Sequence, residues 1–338
     1  MVTAISAILI FCVLIFIHEF GHFITAKLFK MTVHEFSIGM GPTLFAFDKN
    51  GTSYSLRAFP IGGFVRLEGE DGQSDDANAF CNKGIIARIA VLASGAFMNF
   101  VLGFMIFVFV LSGSSGYASN KIGEIVENSA FYNADVMVGD KIVRMKSDKY
   151  SSKIEHYSDI LLFNYKSGAL PATITFERDG ERFVKEITPQ FSEPDNRYLY
   201  GFKAFIEPKS FFGTIKYSIY QSKYVVKVVT LSLMDLIKGE VSPSEMSGPV
   251  GIVNEIGNAA KMGLLSVLNL AALISINLGV MNLLPIPALD GGRLLFVLIE
   301  GITRKKIPHE KEAFIHAVGF MILIGFMLII TYFDLSKL

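Results

Sequence analysis

Four stretches of this chain are long and apolar enough to cross a bilayer, and no other feature restricts its possible folds as strongly. In hydrocarbon every backbone N–H and C=O must find its partner within protein, so a single-chain stretch of this kind crosses as a helix. The first run is uncharged over residues 1–17 and stays apolar to Ala26; the second is uncharged from Ile89 to Asn120. The third is uncharged from Met262 to Leu289, and the fourth extends from Ala313 to Phe333. The first has no basic leader and no small-residue cleavage site, and is expected to be a retained span rather than a signal peptide. A composition 51% hydrophobic and only 18% charged fits a membrane protein. Zero formal net charge gives no reason to expect nucleic acid as a partner. The two cysteines, Cys12 and Cys81, suggest neither a disulfide framework nor a thiolate metal site.

Basic residues crowd two connections. Lys27, Lys30, Lys49, Arg57, Arg66, Lys83 and Arg88 lie between or flank spans one and two, and Arg293, Arg304, Lys305, Lys306 and Lys311 lie between spans three and four. The positive-inside rule places both connections in the cytoplasm, and both termini and the long middle segment outside. Residues 121–205 alternate apolar and polar positions: "KIGEIVENSAFYNADVMVGDKIVRMKSDKY" reads as strand, turn, short helix, turn and strand, and "ATITFERDGERFVKEITPQ" as a hairpin turning at Asp179-Gly180. A small α+β domain is expected there, and "EIVENSAFYNADVMVGDKIVRM" resembles a PDZ domain, a module that binds extended peptides at a sheet edge. Residues 211–238 put Phe212, Ile215, Ile219, Val226, Val229, Leu233 and Ile237 on one helical face and Lys216, Lys223 and Lys227 on another. That is either an amphipathic helix on the outer membrane surface or a helix packed on the outer domain.

Inside the first span stands "HEFGH". His18 and His22, four apart, share one helical face and can reach one metal ion, with Glu19 beside them as a base for a water held there. Ionisable groups at this depth are costly without a partner or a wet cavity, and three within five residues point to function. A third ligand is needed. Asp290, in "NLLPIPALDGGRLL", follows two prolines that should break the third helix, so its carboxylate can project back toward the metal; it can equally be the N-cap of a helix starting at Gly291.

"HEFGH", "FSIGMGP", "PIGGFVRLEGE", "SGPVGIV" and "NLLPIPALDGG" occur in the order seen in the site-2 protease family of intramembrane zinc metalloproteases, and the likeness runs over essentially the whole chain. It implies Zn2+ held by His18, His22 and Asp290, with Glu19 as general base. By the same resemblance Asn277 and Asn282 would position an unwound substrate, and Gly62, Gly63, Phe64 and Val65 would belong to a membrane-embedded β-loop that clamps it as a strand. Where the family carries Gly-Pro ahead of an asparagine in the second span this chain reads "SGAFMN", with Ala96 in place of proline and Asn99 retained.

The implied architecture is a polytopic α-helical membrane protein with four transmembrane helices, a membrane-embedded β-loop and an inserted extracytoplasmic PDZ-like α+β domain. Its parts would be 1–112 (spans one and two with the β-loop), 119–205 (PDZ-like), 211–240 (amphipathic helix) and 262–338 (spans three and four). The implied setting is a bacterial inner membrane, with the active site toward the cytoplasm. The implied partners are the lipid bilayer, single-span substrates such as anti-sigma factors or signal-peptide remnants, and an upstream site-1-type protease that trims them first. The rivals are an inactive membrane scaffold that holds clients through the outer domain, disfavoured by the intact His-Glu-His set, and a transporter, disfavoured because four spans show no inverted repeat.

Overall fold

The computed structural model describes residues 2–193, 195–242, 244, 246–305 and 307–337. Met1, Pro194, Pro243, Glu245, Leu338 and the loop residue Lys306 lie outside them. Two compact units emerge: residues 1–107 with 229–338, and residues 108–228.

In the first unit the apolar runs form α1 (Val2–Leu28) and α2 (Ile85–Ser112), separated by two long strands, β1 (Val33–Lys49) and β2 (Thr52–Leu67). Four helices, at Thr3–Leu28, Ile85–Ser112, Leu264–Leu283 and His309–Ser336, are long and apolar enough to cross a membrane. The strands fold back on themselves. Residues 35–38 pair with 63–66 on one side and lie in register with 53–56 on the other, and 53–56 also pair with 45–48. The sheet therefore runs 43–49, 52–57, 33–38, 63–67, which leaves 63–67 at an edge. Leu44, Phe45 and Phe47 on the arm leading to the turn at Asn50-Gly51 are exposed, as is Phe59 opposite Met40, a surface unsuited to water.

The second unit begins with β3 (Gly116–Ile125), β4 (Lys141–Lys146), β5 (Ser151–Lys153) and α3 (Tyr157–Ser167). It continues through β6 (Ala172–Arg178), β7 (Glu181–Ile187), the small pair β8 (Gln190–Ser192) and β9 (Arg197–Leu199), and β10 (Phe202–Pro208). The sheet order is β10-β3-β4-β6-β7, with β5 on β4, and the β6–β7 hairpin turns at Asp179-Gly180. Both turn residues have positive φ, a conformation Asp and Gly tolerate at a two-residue turn. Alternate residues Ile142, Ile174 and Phe176 pack with Phe131, Phe163 and Tyr200 in a closed core.

Asp140, 1% exposed, closes this unit: it accepts from Arg178 Nε at 2.6 Å and Nη2 at 2.8 Å and from the Met137 amide at 2.9 Å. Burial alone would raise its carboxyl, but the Arg178 fork and the amide outweigh it and hold it below the usual range. A depressed folded value stabilises fully above about pH 4, where the unfolded carboxyl is ionised, and that stability is lost as pH falls through the folded value. Asp140→Asn is expected to cost this unit about 1.5–3 kcal/mol at neutral pH. The gap to wild type should close in strong acid. Urea denaturation of the full chain, read by proteolysis within 108–228, checks both; an unchanged midpoint at neutral pH would exclude the effect.

The next helix is α4 (Phe211–Lys238). Its lysine face turns to the second unit's own acids: Lys227 Nζ lies 2.7 Å from Asp159, and Lys223 and Lys216 lie 3.8 and 3.9 Å from Glu155 and Glu207. Phe211, Phe212 and Ile219, on the apolar side, remain exposed. The first unit resumes with α5 (Pro249–Met262), α6 (Leu264–Leu283), α7 (Asp290–Thr303) and α8 (His309–Ser336). Pro285 and Pro287 end the third span, as two residues without amide donors must. Ala96 sits in an unbroken α2, fully buried, its carbonyl facing Gly279 of α6.

Candidate metal centre

The i, i+4 spacing on α1 puts the His18 and His22 rings edge to face, with centroids 4.9 Å apart. Asp290 reaches them from the start of α7. Its Oδ2 lies 3.0 Å from His18 Nε2 and 3.2 Å from His22 Nε2, and the two Nε2 atoms are 3.3 Å apart. Leu289, not Asp290, is the N-cap of α7; Asp290 is the first helical residue, and the helix makes no side-chain cap. The two glycines behind Asp290 permit this turn, since a Cβ at Gly291 would strike the Leu284 carbonyl and one at Gly292 would come 2.5 Å from that of Ile286.

Donor chemistry tests whether a metal fits. His22 Nδ1 stands 2.8 Å from the Val91 carbonyl and must donate to it, so in the neutral ring the lone pair lies on Nε2. That lone pair faces Asp290 Oδ2, which is buried and accepts no hydrogen bond. Lone pairs converging this closely repel unless a cation lies among them. Ligands about 2.0–2.1 Å from a tetrahedral zinc stand about 3.3–3.4 Å apart. The observed 3.0–3.3 Å triangle fits, with a fourth position left for water or substrate.

Around the triangle lie residues that sequence reasoning did not single out for the site. Gly95 of α2 faces both rings: a Cβ there would overlap His22 Nε2 and stand 2.7 and 2.8 Å from His18 Cε1 and Nε2. Gly21 makes the matching approach from α1 onto the Ser94 carbonyl. The available signal was the small trio Ala93-Ser94-Gly95 within a bulky span, typical of close helix crossings. Asn99, fully buried, sets its carboxamide 3.2 Å from His18 Nδ1, and Ser275 of α6 donates to its backbone carbonyl. The amide nitrogen Nδ2 is the atom that faces the ring, while Oδ1 is buried without a partner; a half-turn of the amide would let Oδ1 accept from Nδ1–H, the tautomer that frees Nε2 for a metal.

A Cβ at Gly63 would lie 3.3 Å from Glu19 Cγ. The edge segment 63–67 thus runs beside the glutamate. Gly62, with φ +94°, turns the chain into this segment, and Phe64 stacks under Arg57. Arg293, three residues past Asp290, pairs with Glu70 at 2.5 Å and Asp71 at 2.7 Å, which ties the ligand turn to the end of the same sheet. Asn277 is exposed on α6 and Asn282 half-buried near its end, and among the described residues no side-chain hydrogen bond joins either to the triangle.

A family model for peptidase family M50 matches residues 6–326. A chain of Clostridium acetobutylicum, described as a candidate zinc metalloprotease, is 38% identical over 333 residues, 98% of this chain and 96% of its own length. The zinc metalloprotease RasP of Bacillus licheniformis is 31% identical, and the regulator of sigma-W protease RasP of Bacillus subtilis 30%, each alignment covering 99% of both chains. A chain with four membrane-length helices, matched from end to end by these relatives, belongs to peptidase family M50, the site-2 protease family, and is a zinc metalloprotease of the membrane.

Proposed function

We propose that the protein is an intramembrane endopeptidase that cuts within the transmembrane segments of single-span membrane proteins, with His18, His22 and Asp290 as zinc ligands and Glu19 as general base. One juxtaposition carries the reading: the ligand triangle, Glu19 and the free sheet edge 63–67 lie side by side within helices of membrane length. Zinc bound there supplies a Lewis acid that polarises the scissile carbonyl and eases deprotonation of water. Glu19 takes the proton of the attacking water and returns it to the leaving amine. Val91 holds His22 in the ligating tautomer, and Asn99, with its amide turned so that Oδ1 accepts from Nδ1–H, would do the same for His18.

A helical substrate shields its amides, so it must first unwind, more easily where its span carries Gly or other helix-breaking residues. The edge Gly63–Leu67 then offers backbone partners to the freed groups. The basic connections support an orientation with this site toward the cytoplasm of a bacterial inner membrane and the second unit, read as PDZ-like, outside. The name of the relative tied to sigma-W regulation is consistent with anti-sigma factors as substrates; their prior trimming outside by another protease is part of this proposal. Asn277 and Asn282, away from the triangle here, would meet only a substrate that extends along α6.

The test uses purified full-length protein in lipid vesicles with a single-span substrate, and locates the cut by mass spectrometry. A cut inside the apolar span, stopped by a chelator and restored by zinc, is expected. Cleavage confined to the soluble flanks would overturn the reading.

A further inference from the structure

The turn that delivers Asp290 contains a residue in the wrong region for its side chain. Ala288 has φ +74°, a left-handed conformation that L-residues other than glycine, asparagine and aspartate rarely hold. Something outside the turn must support it. The support comes from α8: the Ala288 amide donates to His316 Nδ1 at 2.8 Å. A backbone amide can only donate, so the ring is neutral at Nδ1 and carries its proton on Nε2. That Nε2 is buried without a hydrogen-bond partner, its nearest acid, Glu312, being 3.9 Å away. A buried, unpaired donor is unfavourable, so packing alone does not account for a histidine here. Phe296 of α7 meets the imidazole edge to face at 5.5 Å and sets its plane. One turn along α8, Gly319 admits Pro287, which a Cβ would strike. Residues 287 and 288 are thus gripped at two points by one face of α8.

We infer that His316 is a positioning residue for the metal centre: it holds Ala288 in its left-handed conformation and thereby aims the Asp290 carboxylate at His18 and His22. This rests on the reading of Asp290 as a zinc ligand. It assigns to the fourth span a part in building the site although that span supplies no ligand. The grip acts through backbone geometry, so its loss should appear as weakened metal binding, and a residue that holds the left-handed conformation unaided should restore part of it.

Zinc affinity of the purified full-length protein, measured by chelator competition, provides the test. His316→Leu is expected to weaken zinc binding about 10–100-fold, the range for residues that orient a ligand. Adding Ala288→Gly to that variant should recover about fivefold or more, because glycine adopts this φ without support. Ala288→Val with His316 intact should also weaken binding. Wild-type affinity in His316→Leu would overturn the inference, and so would a loss that Ala288→Gly leaves unrestored, since general destabilisation gives that result. Asp290→Asn is the separate control: if it keeps wild-type zinc affinity, the ligand reading itself fails.

Discussion

Gly95→Ala is expected to strip the protein of zinc and of all proteolysis. The methyl group would occupy the space between α2 and the two imidazoles, overlapping His22 Nε2 and lying 2.8 Å from His18 Nε2. Neither ring can retreat freely: His22 is anchored by its Nδ1 bond to Val91, and His18 by Asn99. Mutations that merely reorient a ligand cost about 10–100-fold in metal affinity. One that invades the ligand positions should cost about a hundredfold or more. Alanine is the better helix former, so α2 should persist. Metal analysis and circular dichroism together check this; a helical Gly95→Ala protein with one zinc per chain would refute the reading of the gap.

Glu19→Gln should do the converse, keeping zinc while losing cleavage by about 10²–10⁴-fold, the usual contribution of a general base. Glutamine keeps the shape of the side chain beside Gly63, so the edge segment keeps its neighbour and only proton transfer is lost. Single-turnover cleavage of a membrane-embedded substrate, with zinc measured on the same sample, separates the two effects. Activity within tenfold of wild type would remove Glu19 from the proton-transfer role.

The spans were legible because a bilayer fixes their length and forbids unsatisfied backbone, so composition alone marks them. His18, Glu19 and His22 were legible because their spacing is local to one helix. From the residues alone Asp290 was one of two alternatives, and only the family resemblance chose between them, since its direction depends on a turn supported from α8, 28 residues away. Gly95 stood out only as one of a run of small residues: its contribution is an absence of atoms, and only the position of the opposing rings gives that absence meaning. The sheet was harder still, because β1 and β2 each contain two pairing segments, and side-chain alternation does not say which lies at the edge. For α4 the periodicity was plain, but a lysine stripe looks the same whether it meets water or, as here, Asp159, Glu155 and Glu207.

The free edge 63–67 also sets a demand on length. Five residues occupy about 7.5 Å along a helix and about 17 Å along a strand. A transmembrane segment that docks here therefore gains nearly a nanometre of contour, and the excess must slide out of one face of the bilayer. A segment anchored by folded domains on both sides has no slack to give, whereas one already severed on one side can feed its loose end inward. On this account prior trimming acts mechanically, by releasing a tether, and a long flexible linker beside the span should substitute for it.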